Sequence, residues 1–229
     1  MIIQPDSSEI VMLKDRNFSF DGLLAAGNFE YRGEGIRFDY DSFLVDMPKI
    51  NSISFNVGKD ESSRRRSDKA NEKFGNELTE TAGILYINKP NNKSAQKFFP
   101  QYPMFNAEKG AVDYFNQKDV LDGAYDKSVF FTIPPFDVDS VSSSDPKSIS
   151  FHGVFSSGIL PPFEETLYML PDNSLGFEHK TPPDGYNLYG GMGENHGDIK
   201  IDNNGLRSKG RIDYLNASLE SDDLVFYID

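Results

Sequence analysis

Apolar and polar residues alternate with a period of two along most of this chain, in short runs separated by Gly, Pro, Asn and Asp. That is the periodicity of half-buried β-strands, whose successive side chains point to opposite faces. Ile36-Arg37-Phe38-Asp39-Tyr40 and Ile50-Asn51-Ser52-Ile53-Ser54-Phe55-Asn56-Val57 carry it most plainly. The pattern predicts strands at 18–22 and 23–31, a turn at Arg32-Gly33-Glu34-Gly35, and a strand at 43–47 ended by Pro48, which lacks a ladder donor. Further strands are predicted at 83–88, 111–115, 128–133 and 148–155. A hairpin follows at 163–180, turning at Pro171-Asp172-Asn173-Ser174. The last forty residues read as strands around Asn203-Asn204-Gly205 and Tyr214, with a final strand at 224–229. Phe98-Phe99-Pro100-Gln101-Tyr102-Pro103-Met104-Phe105 is aromatic but broken by two prolines, so it reads as an extended segment lying over a sheet edge.

The grammar breaks between residues 58 and 82. This stretch is charged, with Arg64-Arg65-Arg66 at its centre, and Phe74 and Leu78 stand four apart as on one helix face. The chain therefore reads as an N-terminal β segment at 1–57, a charged insertion with a short helix at 58–82, and a main β region at 83–229 continuous with the first sheet. Within the strands, Phe20-Asp21-Gly22-Leu23-Leu24-Ala25-Ala26-Gly27 echoes Phe151-His152-Gly153-Val154-Phe155-Ser156-Ser157-Gly158, and a weaker copy begins at Leu121-Asp122-Gly123-Ala124-Tyr125. The shared form is a strand entering a tight turn, the first Gly permitting close backbone approach or a bulge, and the small pair with the second Gly a corner where side chains would collide. The expected fold class is mainly β: a repetitive antiparallel sheet or a β-solenoid-like stack of short strands, with a β-sandwich as the alternative.

Composition narrows the function classes. The chain has 229 residues, no Cys and no Trp, so disulfide scaffolds, thiol nucleophiles and thiolate metal sites are excluded. A net charge of -13 argues against nucleic acid or anionic lipid as the main partner. No apolar run reaches the length of a membrane helix, and Met1-Ile2-Ile3-Gln4-Pro5-Asp6 lacks the basic and apolar regions of a leader. With a strand predicted at the very end, the expectation is a segment of something longer.

No motif gathers into a catalytic set. The three histidines, His152, His179 and His196, show no metal-site spacing, and the glycines around His196 (Gly190-Gly191-Met192-Gly193-Glu194-Asn195-His196-Gly197) lack the order of a nucleotide-binding loop. That run reads as a polar turn, although a carboxylate beside His196 would raise a hydrolase reading. Asp39 with Asp41, Asp137 with Asp139, and Asp222 with Asp223 are acidic pairs; on a strand Asp39 and Asp41 would share a face and suit a hard cation, or simply form its wet side. Asp202-Asn203-Asn204-Gly205 has part of a calcium loop's oxygen spacing. Ser156-Ser157-Gly158 has no base at a motif spacing, and the arginine triplet reads as a solvated insertion. No catalytic, cofactor-binding or metal residue is assigned on these grounds, and no cofactor is expected.

Four segments carry a resemblance: Phe29-Glu30-Tyr31-Arg32-Gly33 with Ile36-Arg37-Phe38-Asp39-Tyr40-Asp41-Ser42-Phe43; Ile84-Leu85-Tyr86-Ile87-Asn88-Lys89-Pro90-Asn91-Asn92-Lys93-Ser94; Phe163-Glu164-Glu165-Thr166-Leu167 with Leu175-Gly176-Phe177; and Gly197-Asp198-Ile199 through Asn204-Gly205-Leu206 to Tyr214-Leu215. Together they resemble an interior stretch of very large β-rich envelope and surface proteins of the Bacteroidetes group, for which no activity is known. The resemblance implies a periplasmic or cell-surface setting within a longer precursor. The implied partners are the remainder of that polypeptide or other envelope proteins. The leading expectation is thus a non-catalytic structural or interaction segment, with a carbohydrate-binding or carbohydrate-processing β module as the alternative.

Overall fold

A computed structural model describes residues 1–55, 77–141, 148–171 and 174–228. The fold is mainly β, and each described strand pair is antiparallel. In chain order the strands are β1 (Ile2–Pro5), β2 (Val11–Met12), β3 (Phe18–Ala26), β4 (Phe29–Asp39), β5 (Leu44–Phe55), β6 (Leu78–Thr79), β7 (Thr81–Tyr86), β8 (Met104–Ala107), β9 (Ala111–Tyr114), β10 (Phe130–Ile133), β11 (Phe136–Val138), β12 (Ser150–Ser156), β13 (Phe163–Met169), β14 (Leu175–His179), β15 (Tyr186–Leu188), β16 (Gly193–Asn195), β17 (Asp198–Asp202), β18 (Gly205–Tyr214) and β19 (Ala217–Val225). No α-helix is present among the described residues; the 3-10 turns include Lys14–Arg16, Pro90–Asn92 and Leu121–Gly123. The chain forms two compact units: Met1–Val112 with Pro134–Ile149, and Asp113–Ile133 with Ser150–Asp229.

The first unit is a meander. β3 pairs with β4, β4 with β5, β5 with β7, β7 with β8 and β8 with β11, while β1 and β2 lie along the other edge of β3. Its strands are longer than the sequence pattern predicts. Arg32-Gly33-Glu34-Gly35 does not turn the chain; it lies inside β4, where the register slips between Arg32 and Gly33. Pro48 does not end a strand either; β5 runs through it and the register slips between Met47 and Ile50. The predicted punctuation became bulges, which bend a strand without ending it. Gly35, with φ +66, faces the Pro48 ring 3.5 Å from where its Cβ would stand, so the two irregularities pack on each other. The reversal between β3 and β4 falls at Gly27, with φ 61. Phe29, Tyr31, Ile36, Met47, Ile53, Leu85 and Phe105 form the buried core, with Tyr31 tilted against Phe105 at 4.8 Å. The Tyr31 hydroxyl is buried without a hydrogen-bond partner, and burial holds its pKa well above the usual phenol value.

Leu78 lies on a strand, not a helix, and pairs with Ile53. Residues 79, 81 and 82 of the expected insertion are likewise on strands, β6 and the start of β7, while its part from 58 to 76, with the arginine triplet, lies outside the described residues.

In the second unit β12 pairs with β10 and β13. β14 changes partner midway, from β13 at Leu175 and Gly176 to β17 at 177–179. β17 and β16 both pair with β18, whose far side carries β19. The final strand thus runs from Ala217 to Val225, ending eleven residues after Tyr214, and Phe226 turns inward and is buried. Phe131, Phe155, Phe163 and Phe177 form a ladder of ring contacts 5.1–6.0 Å apart. The Tyr125 hydroxyl donates to Phe226 O at 2.7 Å and accepts from Leu206 N–H at 2.8 Å, and burial pushes its pKa up to about 12.

The two echoing segments can be compared directly. Phe20, Leu24 and Ala26 are buried along β3, and Phe151, Phe155 and Ser157 are buried at the matching positions of β12. Both closing glycines have positive φ, 61 at Gly27 and 68 at Gly158. Each strand is flanked by antiparallel neighbours on both sides. The weaker copy at Leu121 does not share this form; it is a 3-10 turn with Asp122 at φ 54. A Cβ at Gly153 would strike the Thr132 carbonyl and come within 2.6 Å of the Phe131 ring. Gly153→Ala is therefore expected to destabilise the protein by about 1–3 kcal/mol, as overpacking does, whereas Gly158→Ala, with open space around it, should cost only about 1 kcal/mol for its backbone conformation. Urea midpoints of the two variants check this, and equal losses would refute it.

Candidate functional site

The second unit brings two histidines to carboxylates. β13 places Phe163 and Glu165 on one face, two residues apart, and the side chain of His179, at the end of β14, reaches Glu165. His179 Nδ1 lies 2.8 Å from Glu165 Oε2, and Nε2 lies 3.0 Å from the Tyr186 hydroxyl on β15. The other Glu165 oxygen accepts the Thr166 N–H at 2.8 Å. The imidazole stacks on Phe163 at 4.1 Å, and Tyr186 stacks on Phe163 at 5.6 Å. Because the carboxylate only accepts, Nδ1 carries a proton, and a neutral ring takes the phenol proton's hydrogen bond at Nε2. Burial, then the Glu165 charge, raises the Tyr186 pKa, so the phenol keeps its proton at neutral pH. The result is a carboxylate–imidazole–phenol chain, the order in which a proton relay is built.

His196 follows β16 and lies at the end of the glycine run. Its Nε2 is 3.5 Å from Glu194 and 3.4 Å from Asp213. Those two carboxylates are directly opposite one another across β16 and β18. Nε2 is buried and makes no regular hydrogen bond to either carboxylate. Arg211 adds a cation 3.2 Å from Asp213. A hydrogen bond from Ser218, followed by the Arg211 and His196 charges, holds the Asp213 carboxyl below its ordinary range. The turn closed by Gly185 N–H to Pro182 O roofs the ring, since a Cβ at Gly185 would come within 2.9 Å of it.

Beneath this sits a buried polar knot that no motif announced. Asn195 donates to Gly197 O at 2.7 Å and Thr181 Oγ1 at 3.0 Å, and it accepts from Ser208 Oγ at 2.6 Å. Thr181 also donates to Gly197 O. The signal available in the sequence was one Asn among glycines in an otherwise exposed-looking run.

The acidic pairs do not form cation sites. β4 ends at Asp39, and Asp39 caps the Ser42 N–H, so Asp39 and Asp41 share no strand face. Asp137 accepts from Asn106, and Asp139 lies beyond the end of β11. Asp222 and Asp223 pair with Lys209 and Arg207. Asp202, 6% exposed, sits 2.6 Å from Arg207 and 3.4 Å from Lys200 and accepts the Asn204 N–H, so cations already surround the partial calcium loop. Among the described residues no group of three or more His, Asp or Glu is arranged to hold a metal. Ser157 Oγ accepts from the N–H groups of Ile159 and Leu160 and closes the turn after β12. His152, at 68% side-chain exposure, has only a 3.9 Å approach to Glu164.

In the first unit the N-terminal edge stands apart. Ile10, Val11, Met12 and Leu13 are 46, 59, 72 and 40% exposed, four consecutive apolar residues in water. β2 pairs only with β3 among the described residues. A tight reversal with Asp15 and Arg16 both at positive φ ties it there, with Leu13 N–H donating to Asn17 O.

The low pKa of Asp213 has a stability consequence. A carboxyl depressed in the folded state contributes stability above its unfolded value and loses it as pH falls through the folded value. Ser218→Ala removes the largest cause, so the variant should be less stable than the parent above about pH 4 and equal to it at lower pH. Urea midpoints measured across that range test the assignment, and a pH-independent difference would defeat it. No protein-family model, curated protein or solved structure matches this chain.

Proposed function

We propose that the chain is a non-catalytic structural or interaction segment of a larger bacterial envelope protein, acting through the free edge of its first sheet. The carrying observation is the exposed apolar run from Ile10 to Leu13, whose middle two residues form β2, paired only with β3 among the described residues. Proteins normally protect such an edge with charge, proline or a covering element, because unpaired amides beside apolar side chains recruit another strand. Here the flanking Glu9 and Lys14 bracket the run without interrupting it. Leu13 N–H points to β3, so strand alternation turns the N–H groups of Ile10 and Met12 outward. The occupant we assign is a β-strand from the remainder of the polypeptide, added antiparallel or parallel along β2. The periplasmic or cell-surface setting rests on the resemblance described above.

Hydrogen exchange tests this. In the isolated chain the Ile10 and Met12 amides should exchange at nearly free rates, and in the intact parent protein they should be protected. Val11→Lys should abolish the protection without lowering the melting temperature of the isolated chain. Equal exchange in both settings overturns the proposal.

A carbohydrate-processing module is the second reading, favoured by the Glu165–His179–Tyr186 chain. It requires glycoside hydrolysis by the chain that His179→Ala abolishes and His152→Ala leaves intact; absence of turnover on a panel of aryl glycosides and polysaccharides removes it.

A further inference from the structure

From Thr81 to Ala107 the chain contains no Asp or Glu, although the molecule as a whole carries a net charge of -13. The same stretch holds Lys89, Lys93 and Lys97 and ends in the aromatic run Phe98, Phe99, Tyr102 and Phe105. Only part of the aromatic run turns inward. Phe105 is buried on β8, whereas Phe98 is 88% exposed.

The loop that carries these residues is built around one buried side chain. Asn92 is 5% exposed; its amide donates to Lys97 O at 2.7 Å and Asn88 Oδ1 at 3.1 Å, and its carbonyl accepts the Lys97 N–H at 3.0 Å. Its own backbone N–H donates to Lys89 O, and its backbone O accepts from Ala95, which has φ 53. On the far side, Ser140 holds the segment by its hydroxyl at Pro100 O and its N–H at Gln101 O, and Val141 N–H donates to Pro103 O. Phe98 is therefore presented from a backbone fixed on both sides.

Lys89, Lys93 and Arg16 are arranged on rings, with no carboxylate partner among the described residues. Lys89 Nζ lies 4.0 Å from the centre of Phe99, and Lys93 Nζ and Arg16 Cζ lie 4.9 and 4.7 Å from the centre of Tyr40. The nearby Asp39 carboxylate is turned to the Ser42 N–H. Arg32, Lys49, Lys200, Arg207, Lys209 and Arg211 all have carboxylate partners, which shows how readily this acidic chain pairs its cations elsewhere.

We infer that this loop, with Arg16 and Tyr40, is a binding surface for an anionic glycan. An exposed ring offers a flat apolar face for the C–H side of a sugar, and flanking ammonium groups accept a carboxylate on each residue of a polyuronate. Screening confines the repulsion of distant acids to about 8 Å at physiological salt, so the local charge governs contact. A lipid headgroup supplies the anion but not the flat face, and one exposed ring gives little insertion. The inference does not rest on whether the β2 edge recruits a strand.

The test is affinity electrophoresis in gels containing polygalacturonate, with dextran gels as the neutral reference and sedimentation with phosphatidylglycerol–phosphatidylcholine vesicles alongside. The protein should be retarded by polygalacturonate alone. Lys93→Glu with Lys97→Glu should lower the affinity by about tenfold or more. Phe98→Ser, at a fully accessible position, should weaken it while leaving the circular dichroism spectrum unchanged. Lys209→Glu, an exposed change in the other unit, should leave binding intact. No retardation, or retardation indifferent to the loop variants, overturns the inference. Vesicle binding in place of polygalacturonate binding overturns it in favour of a lipid surface.

Discussion

Close approach of backbone to backbone at a few glycines is the constraint on which both units depend. At Gly22, Gly33, Gly83, Gly153, Gly176 and Gly193 the space a Cβ would occupy is taken by a neighbouring strand's carbonyl oxygen. Those strands cross more tightly than side chains allow, and the rings of Phe105, Phe131 and Tyr214 close over three of the gaps. Aromatic residues are thus not only core filler here. They cover backbone that the glycines leave bare, which helps explain a chain with 19 Phe and 19 Gly and no Trp.

This constraint also explains where the sequence was legible. Strand positions followed the two-residue alternation most closely in β10 and β12, where buried and more exposed positions alternate and a slip would expose the buried face. The same reading failed at Arg32–Gly35 and Pro48, since glycine and proline mark bulges as readily as turns, and only the partner strand decides which. Leu78 failed for a related reason: spacing of four suits a helix, but Ile53 was waiting in register. At the C-terminus the alternation of 224–228 was real, yet Phe226 was pulled into the core and Tyr125 took its carbonyl.

The candidate sites were less legible than the fold. Nothing near His179 in sequence names Glu165 or Tyr186; β13, β14 and β15 bring them together from separate elements. His196 was singled out, but its neighbours come from cross-strand pairing that local spacing does not contain, and Asp213 stands seventeen positions away. The acidic pairs misled in the opposite direction, because adjacency in sequence placed them at strand ends and beside cations. The lysine loop showed its composition openly; what the sequence withheld was the role of Asn92, one asparagine among several, whose burial fixes the loop.

The Tyr125 hydroxyl joins residues that are made at very different times. Its two partners lie 81 and 101 positions later in the chain. At synthesis rates of about 5–20 residues per second, the turn at Tyr125 waits on the order of 5–20 seconds for Phe226 to emerge. During that interval Asp113–Ile133 has no completed unit to join, while all of Met1–Val112 has already been made. The second unit therefore closes as a late, non-local event, and the apolar side chains of Val120, Tyr125, Val129 and Phe131 are the ones a nascent-chain chaperone would meet.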